Sequence, residues 1–82
     1  MACYVYVLCS KSKEVCTTYV GWTTNLEKRL DKHNNGTGAR STRGRQWRLL
    51  YVEQYYDRSE AMSREYAIKH DRNFRKLLRN NC

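Results

Sequence analysis

The chain has 82 residues and a net charge of +8, because 16 lysines and arginines stand against 8 aspartates and glutamates. A chain of this length has room for one domain with a thin core, which we place over residues 1–82. No apolar run approaches the ~20 residues that span a membrane, and no positive region precedes the N-terminal apolar segment, so we expect a cytoplasmic protein without a membrane partner.

The first third of the chain predicts a β-hairpin. Residues 3–9 and 15–23 are rich in valine, tyrosine and threonine, and the polar segment 10–14 separates them. If Tyr6 lies opposite Tyr19, both phenols point to one face of the sheet. The alternative interpretation is structural: either tyrosine alone would be an ordinary packing residue, and the two together would form an ordinary aromatic pair.

The register of this hairpin also decides what lies beside the two phenols. With Tyr6 opposite Tyr19, Tyr4 pairs with Gly21, and the glycine leaves space next to the aromatic rings.

The chain has four cysteines and no C-x-x-C pair, so the spacing supports neither a zinc site nor a thioredoxin-type motif. The same register places Cys9 opposite Cys16, which would allow a cross-strand disulfide in an oxidised sample. In the cytosol we expect reduced thiols that pack as small hydrophobic groups, and this applies equally to Cys3 and Cys82.

A capping box predicts the first helix. Thr24 followed by Glu27 begins it, and Gly36 ends it as a left-handed cap. Arg29 and His33 extend the apolar stripe of this helix, so two polar groups lie on the face that should look inward. On an exposed helix the same pair would only be part of a solvated face.

The second half of the chain predicts a basic, flexible loop at 39–47 and a third strand at 48–55. Asp57 followed by Glu60 opens a second helix, and a short helix covers 71–79. The order β-β-α-β-α-α predicts an α+β fold, in which three helices flank a small, mostly antiparallel sheet of three strands.

Glu65 lies on the inward face of the second helix, because Ala61 and Ile68 occupy the same face at helical spacing. Charged groups that turn inward are costly unless they are paired or bind a metal, so an inward arginine, histidine and glutamate together indicate a site. The alternative is a partly buried carboxylate that pairs with Arg29 or Lys69.

These motifs together resemble the GIY-YIG nuclease superfamily. The resemblance covers residues 4 to about 76 and rests on Tyr-Val-Tyr at 4–6, Tyr-Val-Gly at 19–21, N-L-x-x-R-L-x-x-H-x-x-G-x-G-A at 25–39 and A-x-x-x-E at 61–65. The chain departs from the family at Tyr4, where the first motif has glycine. It is similar to the catalytic domains of structure-specific endonucleases that act on branched DNA.

The resemblance implies a catalytic set that consists of Tyr6, Tyr19, Arg29, His33 and Glu65. It implies an endonuclease that depends on Mg²⁺ or Mn²⁺ and hydrolyses phosphodiester bonds in DNA. Glu65 would be the metal ligand, and a single carboxylate implies one weakly held ion.

Arginine supplies most of the positive charge, and its planar guanidinium binds phosphate through two parallel hydrogen bonds. We expect eight basic residues to contact the nucleic-acid backbone: Arg40, Arg43, Arg45, Arg48, Lys69, Arg72, Arg75 and Lys76. Two alternatives stay open. One is a binding module with little catalysis, on DNA or RNA, and the other is a subunit targeted by a partner protein or a second copy of itself.

Overall fold

The computed structural model describes residues 1–82, apart from the side chain of Ser41. The elements are β1 (Cys3–Ser12), β2 (Val15–Thr23), α1 (Leu26–Asn34), a 3-10 turn (Arg40–Thr42), β3 (Arg48–Tyr55), α2 (Arg58–Lys69) and α3 (Arg72–Arg79). The three strands form an antiparallel sheet in the order β2-β1-β3. The predicted α+β fold and its β-β-α-β-α-α order are confirmed. Within this described part of the chain, no helix has the length and apolar character needed to cross a membrane.

The register of the β1–β2 hairpin differs from the predicted one by two residues. Tyr6 lies opposite Gly21, and Leu8 lies opposite Tyr19. Because side chains alternate between faces with a period of two, this shift leaves both tyrosines on the predicted face. It also brings the glycine directly beside Tyr6 instead of Tyr4.

The turn of the hairpin causes this shift. The strands continue until Ser12 pairs with Val15, so that only Lys13 and Glu14 form the turn. Both turn residues have positive φ angles, 49° and 69°, as two-residue hairpin turns require. Neither residue is a glycine, asparagine or aspartate, so the sequence gives no signal for this tight turn.

The predicted opposition of Cys9 and Cys16 is wrong for the same reason. Cys9 pairs with Thr18 in the register, and a disulfide joins Cys16 to Cys82, with a Cα–Cα distance of 6.6 Å. The expectation of reduced thiols is therefore wrong for Cys16 and Cys82, whereas Cys3 and Cys9 are free and buried. Cys82, three residues beyond the end of α3, reaches back to β2, which the local sequence pattern could not indicate.

The helices begin close to the predicted residues. Asn25, not Thr24, caps α1, because its side-chain oxygen accepts a hydrogen bond from the Lys28 amide at 3.1 Å. Asp57 caps α2 as predicted. Gly36 follows the end of α1 with a φ of +84°, the left-handed conformation predicted for it.

The sheet separates two apolar clusters. One face packs against α2 and α3 through the buried residues Cys3, Val5, Val7, Val20, Ala61 and Ile68. The other face packs against α1 and the loop after it through Tyr6, Leu8 and Trp47, with Tyr19, Leu26 and Leu30 at the margin. The predicted tyrosine face is therefore the face that α1 covers.

A charged group links β3 to α2. The Glu53 carboxylate pairs with Arg64 at 2.9 Å and accepts hydrogen bonds from the hydroxyls of Tyr51 and Tyr55. Partial burial alone would raise the pKa of this carboxyl, but the hydrogen bonds from Arg64, Tyr51 and Tyr55 outweigh it and lower the pKa to about 2. The folded state thus favours the charged carboxylate.

We expect Glu53 to make the free energy of unfolding depend on pH in the acid range. Its folded pKa of about 2 lies below the ordinary value of 4.5, so its contribution is present above pH 4.5 and is lost as the pH falls through 2. At pH 7, Glu53→Gln should lower the free energy of unfolding by about 2 kcal/mol, and much less at pH 2. Denaturant unfolding at several pH values measures this, with Glu60→Gln on the exposed start of α2 as the control. A difference that stays constant with pH would contradict the argument.

Candidate functional site

The hydroxyl of Tyr6 is the centre of a buried polar cluster between β1 and α1. Tyr6 is only 1% exposed, and its Oη accepts a hydrogen bond from Arg29 Nε at 3.2 Å. The same Oη lies 3.0 Å from Nε2 of His33, which is fully buried. The inward stripe of the first helix therefore carries Arg29 and His33 onto the tyrosine face, and neither belongs to a solvated face.

The hydrogen-bond network assigns the tautomer of His33. Thr42 Oγ1 donates to the carbonyl oxygen of Ala39 at 2.7 Å, so this hydroxyl has no hydrogen left for the imidazole. His33 Nδ1, 2.9 Å from Thr42 Oγ1, must then be the protonated nitrogen that donates to it. In the neutral ring, Nε2 is free to accept the hydroxyl hydrogen of Tyr6.

The pKa shifts of the two residues agree with a hydrogen bond that Tyr6 donates to His33. Burial, and to a lesser degree the charge of Arg29, lowers the pKa of His33 below its usual 6.5, so the ring is neutral at pH 7. Burial raises the pKa of Tyr6 above 10, although the hydrogen bond from Arg29 partly offsets the rise. The resting state therefore contains a protonated phenol that faces a neutral imidazole acceptor.

Tyr19 lies beside this cluster on β2 and is half-buried. Its ring centroid is 4.8 Å from that of His33 and 6.5 Å from that of Tyr6. The pKa of Arg29 is raised chiefly by its hydrogen bond to Tyr6, and both phenols add to the rise. The structure thus brings together four of the five predicted catalytic side chains.

Two glycines allow the close approaches within this cluster. A Cβ atom on Gly21 would lie 2.5 Å from Tyr6 Oη, and a Cβ atom on Gly38 would lie 2.8 Å from His33 Nδ1. Both distances are too short for real contacts. These positions need glycine because the Tyr6 and His33 side chains occupy the space of its missing side chain.

The basic loop at 39–47 is not the flexible segment that its composition predicted. Thr42 is fully buried against His33, and the Trp47 indole donates to the Thr42 carbonyl at 2.8 Å. The Asn34 side chain donates to the Trp47 carbonyl at 3.0 Å and accepts from the Trp47 amide. Hydrogen bonds from α1 therefore order this loop. The lone tryptophan in a basic run was a usable signal for burial, but nothing in the sequence marked Thr42.

Glu65 stands apart from the other four side chains. It is half-buried on α2, and its carboxylate pairs with Lys69 at 3.4 Å. The hydrogen bonds and ion pairs that the structure describes do not connect it to Tyr6 or Arg29, so the pairing with Lys69 is the alternative that is realised. Its charge makes only the smallest of the contributions to the pKa of Tyr6, which burial raises.

Arg29 is surrounded by exposed basic side chains that were not among the predicted binding residues. Lys28 and Lys32 line the same groove on α1. Arg58, at the start of α2, lines an adjoining groove with Arg29 and stacks over the Trp22 ring at 5.6 Å from its centroid. These three side chains are better placed to hold a phosphate next to Arg29 than most of the predicted binding residues.

The eight predicted binding residues do not form one surface. Arg43 and Arg45 line a groove with Lys11 near the hairpin turn. Arg72, Arg75 and Lys76 lie together on α3, on the opposite side of the sheet from α1. The other three lie elsewhere: Arg40 is exposed in the 3-10 turn, Arg48 donates to the Cys9 sulfur, and Lys69 pairs with Glu65.

The sequence and the fold correspond to a known class of catalytic domain. The family model of the GIY-YIG catalytic domain matches residues 2–78. The chain therefore belongs to the GIY-YIG family of nuclease domains.

Similar proteins occur in several bacteria. A UPF0213 protein of Clostridium perfringens is 50% identical over 78 residues, which cover 94% of this chain and 74% of the relative. A UPF0213 protein of Oceanobacillus iheyensis is 45% identical over 75 residues, which cover 90% and 84%. The solution NMR structure of a UPF0213 protein from Bacillus halodurans is similar with a TM-score of 0.55 and 39% identity, over 95% of this chain and 82% of that one. These names state no substrate.

Proposed function

We propose that this chain is a single-domain, divalent-metal-dependent endonuclease that hydrolyses phosphodiester bonds in DNA. The observation that carries the proposal is the Tyr6 hydroxyl held between Arg29 and His33. A phenol with a raised pKa is a poor base on its own, but an adjacent neutral imidazole can take its proton. Family membership supports nuclease chemistry for this arrangement.

In this mechanism Tyr6 passes a proton from the attacking water to His33. His33 Nε2 accepts the hydroxyl proton of Tyr6, and the oxygen of Tyr6 accepts a proton from the water that attacks phosphorus. Arg29 donates to the phenolate oxygen and, with its remaining N–H groups, to a non-bridging phosphate oxygen as negative charge develops there. Tyr19 packs against His33 and keeps the ring aligned.

A single carboxylate ligand is compatible with one weakly held divalent ion. Glu65 offers a half-buried carboxylate on α2, and Mg²⁺ or Mn²⁺ bound by one carboxylate would keep most of its water ligands. Binding at Glu65 would compete with the ion pair to Lys69. When bound, such an ion would stabilise the negative charge on the departing 3′ oxygen.

Shape is the substrate feature that this surface is suited to recognise. Its cations lie on both sides of the sheet, at α1, near the hairpin turn and along α3. Phosphate contacts of this kind position a nucleic acid without reading its sequence. We therefore propose branched or flapped DNA, whose arms can contact separate faces, as the preferred substrate.

Cleavage assays on linear, flapped and junction DNA, with Mg²⁺, Mn²⁺ or a chelator, test the proposal. We expect cutting that requires the metal, is lost in Arg29→Ala and falls at least about tenfold in Glu65→Ala. Glu60→Ala, an exposed glutamate on the same helix, is the control. Undiminished magnesium-dependent cutting by Glu65→Ala would remove the metal role. Tight binding of DNA or RNA without cutting would favour a binding module, and activity that appears only with a partner protein would favour a subunit.

The proton transfer to His33 predicts the pH dependence of cleavage. His33 must be neutral to accept the proton, and burial together with Arg29 lowers its pKa below 6.5. The rate should therefore fall on the acid side with a midpoint below pH 6.5 and stay high above it. Measuring kcat/KM from about pH 5 to pH 8 at constant ionic strength checks this. An acid limb centred above pH 6.5 would contradict the assignment.

A further inference from the structure

Three cysteine sulfurs meet on the sheet near the hairpin turn, away from the proposed nuclease site. They belong to Cys9 of β1, Cys16 of β2 and Cys82 after α3, and all lie within 4.8 Å of one another. Cys9 is only 1% exposed and is a free thiol, whereas Cys16 and Cys82 are disulfide-bonded. The three ligand atoms come from separate elements, so no short cysteine motif could have indicated the cluster.

We propose that Cys9, Cys16 and Cys82 form a binding site for one thiophilic divalent ion of the zinc class once the disulfide is reduced. Thiolate ligands select such ions over magnesium and calcium. A zinc ion bound to sulfur at about 2.3 Å needs its sulfur ligands about 3.8 Å apart, which the cluster spans with little movement. Three protein ligands leave one position for water or another small ligand.

Arg48 explains why the site prefers a divalent ion. Its Nε donates to the Cys9 sulfur at 3.3 Å, from the β3 residue that pairs with Cys9. Three thiolates, one divalent ion and one guanidinium together carry no net charge, whereas a monovalent ion would leave a negative charge at a partly buried position. A hydrogen bond to a ligating sulfur also fixes its orientation.

Disulfide and metal exclude each other at this site. A dithiol reductant transfers two electrons and two protons to the Cys16–Cys82 bond, which yields two thiols and the cyclic disulfide of the reagent. On metal binding the ligating thiols release their protons. In both states the end of α3 is tied to β2, by a covalent bond in one and by the ion in the other.

Metal titration of the reduced full chain tests the site. After removal of the dithiol without oxygen, Zn²⁺ competition against a chromophoric chelator and the Cd²⁺–thiolate charge-transfer absorbance should each show one ion per chain. Cys9→Ser, Cys16→Ser and Cys82→Ser should each weaken binding at least tenfold, and Arg48→Gln about tenfold. Cys3→Ser is the matched control, because Cys3 is a buried free cysteine on the same strand outside the cluster and should bind as the wild type does.

Alkylation of the wild-type chain gives an answer that does not depend on how the variants fold. Bound Zn²⁺ should protect Cys16 and Cys82, which are partly exposed, from a thiol reagent, and the chelator should remove the protection. Absence of stoichiometric binding or of protection would overturn the proposal. Wild-type affinity in a folded Cys9→Ser protein would overturn it as well, since the site would then use only two sulfurs.

Discussion

Replacing Tyr6 with phenylalanine is expected to reduce the rate of DNA cleavage at least about 100-fold, the usual scale of a lost acid–base group. The variant keeps the buried ring and removes only the oxygen that joins Arg29 to His33. Water would then lose its proton path to the imidazole, while Arg29 would remain able to bind phosphate. The loss should therefore appear in kcat, with little change in the affinity for DNA.

Tyr4→Phe is the matched control for this prediction. Tyr4 lies two residues earlier on β1, on the same face of the sheet, and the hydrogen bonds that the structure describes do not include its hydroxyl. Its replacement should leave kcat within a factor of about two. Single-turnover cleavage and binding assays on the two variants measure the difference. Equal activity of Tyr6→Phe and wild type would exclude the phenol from the proton path.

Removal of the Tyr6 hydroxyl should also change the pH profile in a way that a packing defect would not. The acid limb assigned to His33 depends on proton transfer through the Tyr6 oxygen. In Tyr6→Phe the residual rate should lose this limb, because the protonation state of His33 no longer matters to the water. A packing defect would lower the rate at every pH and keep the limb.

Much of the fold follows from local patterns. Alternating valine and tyrosine, the Asp57 cap and the left-handed glycine at Gly36 are local signals, and each element lies within a few residues of its predicted place. The register was not predictable in the same way. A shift by two residues preserves every face of a strand, so the hydrophobic pattern fits both registers equally well.

The candidate site could be predicted as a set of residues but not as a network. The helical stripe predicted that Arg29 and His33 turn inward, and both do. The proton direction depends on Thr42, which loop contacts place against the imidazole from nine positions away along the chain. The ion pair between Glu65 and Lys69, by contrast, joins neighbouring turns of α2 at i,i+4 spacing and is a local contact.

Gly21 connects the register to the chemistry. In the observed register it lies directly opposite Tyr6, and the tyrosine ring passes over its Cα to reach Arg29 and His33. Any side chain at this position would compete with the phenol for the same space. The glycine of the second tyrosine motif thus positions the tyrosine of the first one, across the strand pair.

Gly21→Ala is therefore expected to reduce cleavage about as much as the loss of the hydroxyl, because displacement of a reacting group by about 1 Å costs on the order of 100-fold. The new Cβ atom would lie 2.5 Å from Tyr6 Oη and 2.7 Å from Cζ, and the buried ring must move. The backbone itself tolerates alanine, since Gly21 is not among the residues with positive φ. The defect should therefore come from the contact with Tyr6.

A double-mutant cycle separates this contact from general strand damage. If Gly21→Ala acts by displacing the Tyr6 hydroxyl, adding it to Tyr6→Phe should reduce the rate only slightly further, since the hydroxyl is already absent. Independent effects would instead multiply to a loss of about 10⁴-fold. Rates measured for the four proteins under single-turnover conditions decide between the two outcomes. Multiplying losses would mean that Gly21 acts on the site by a route other than Tyr6.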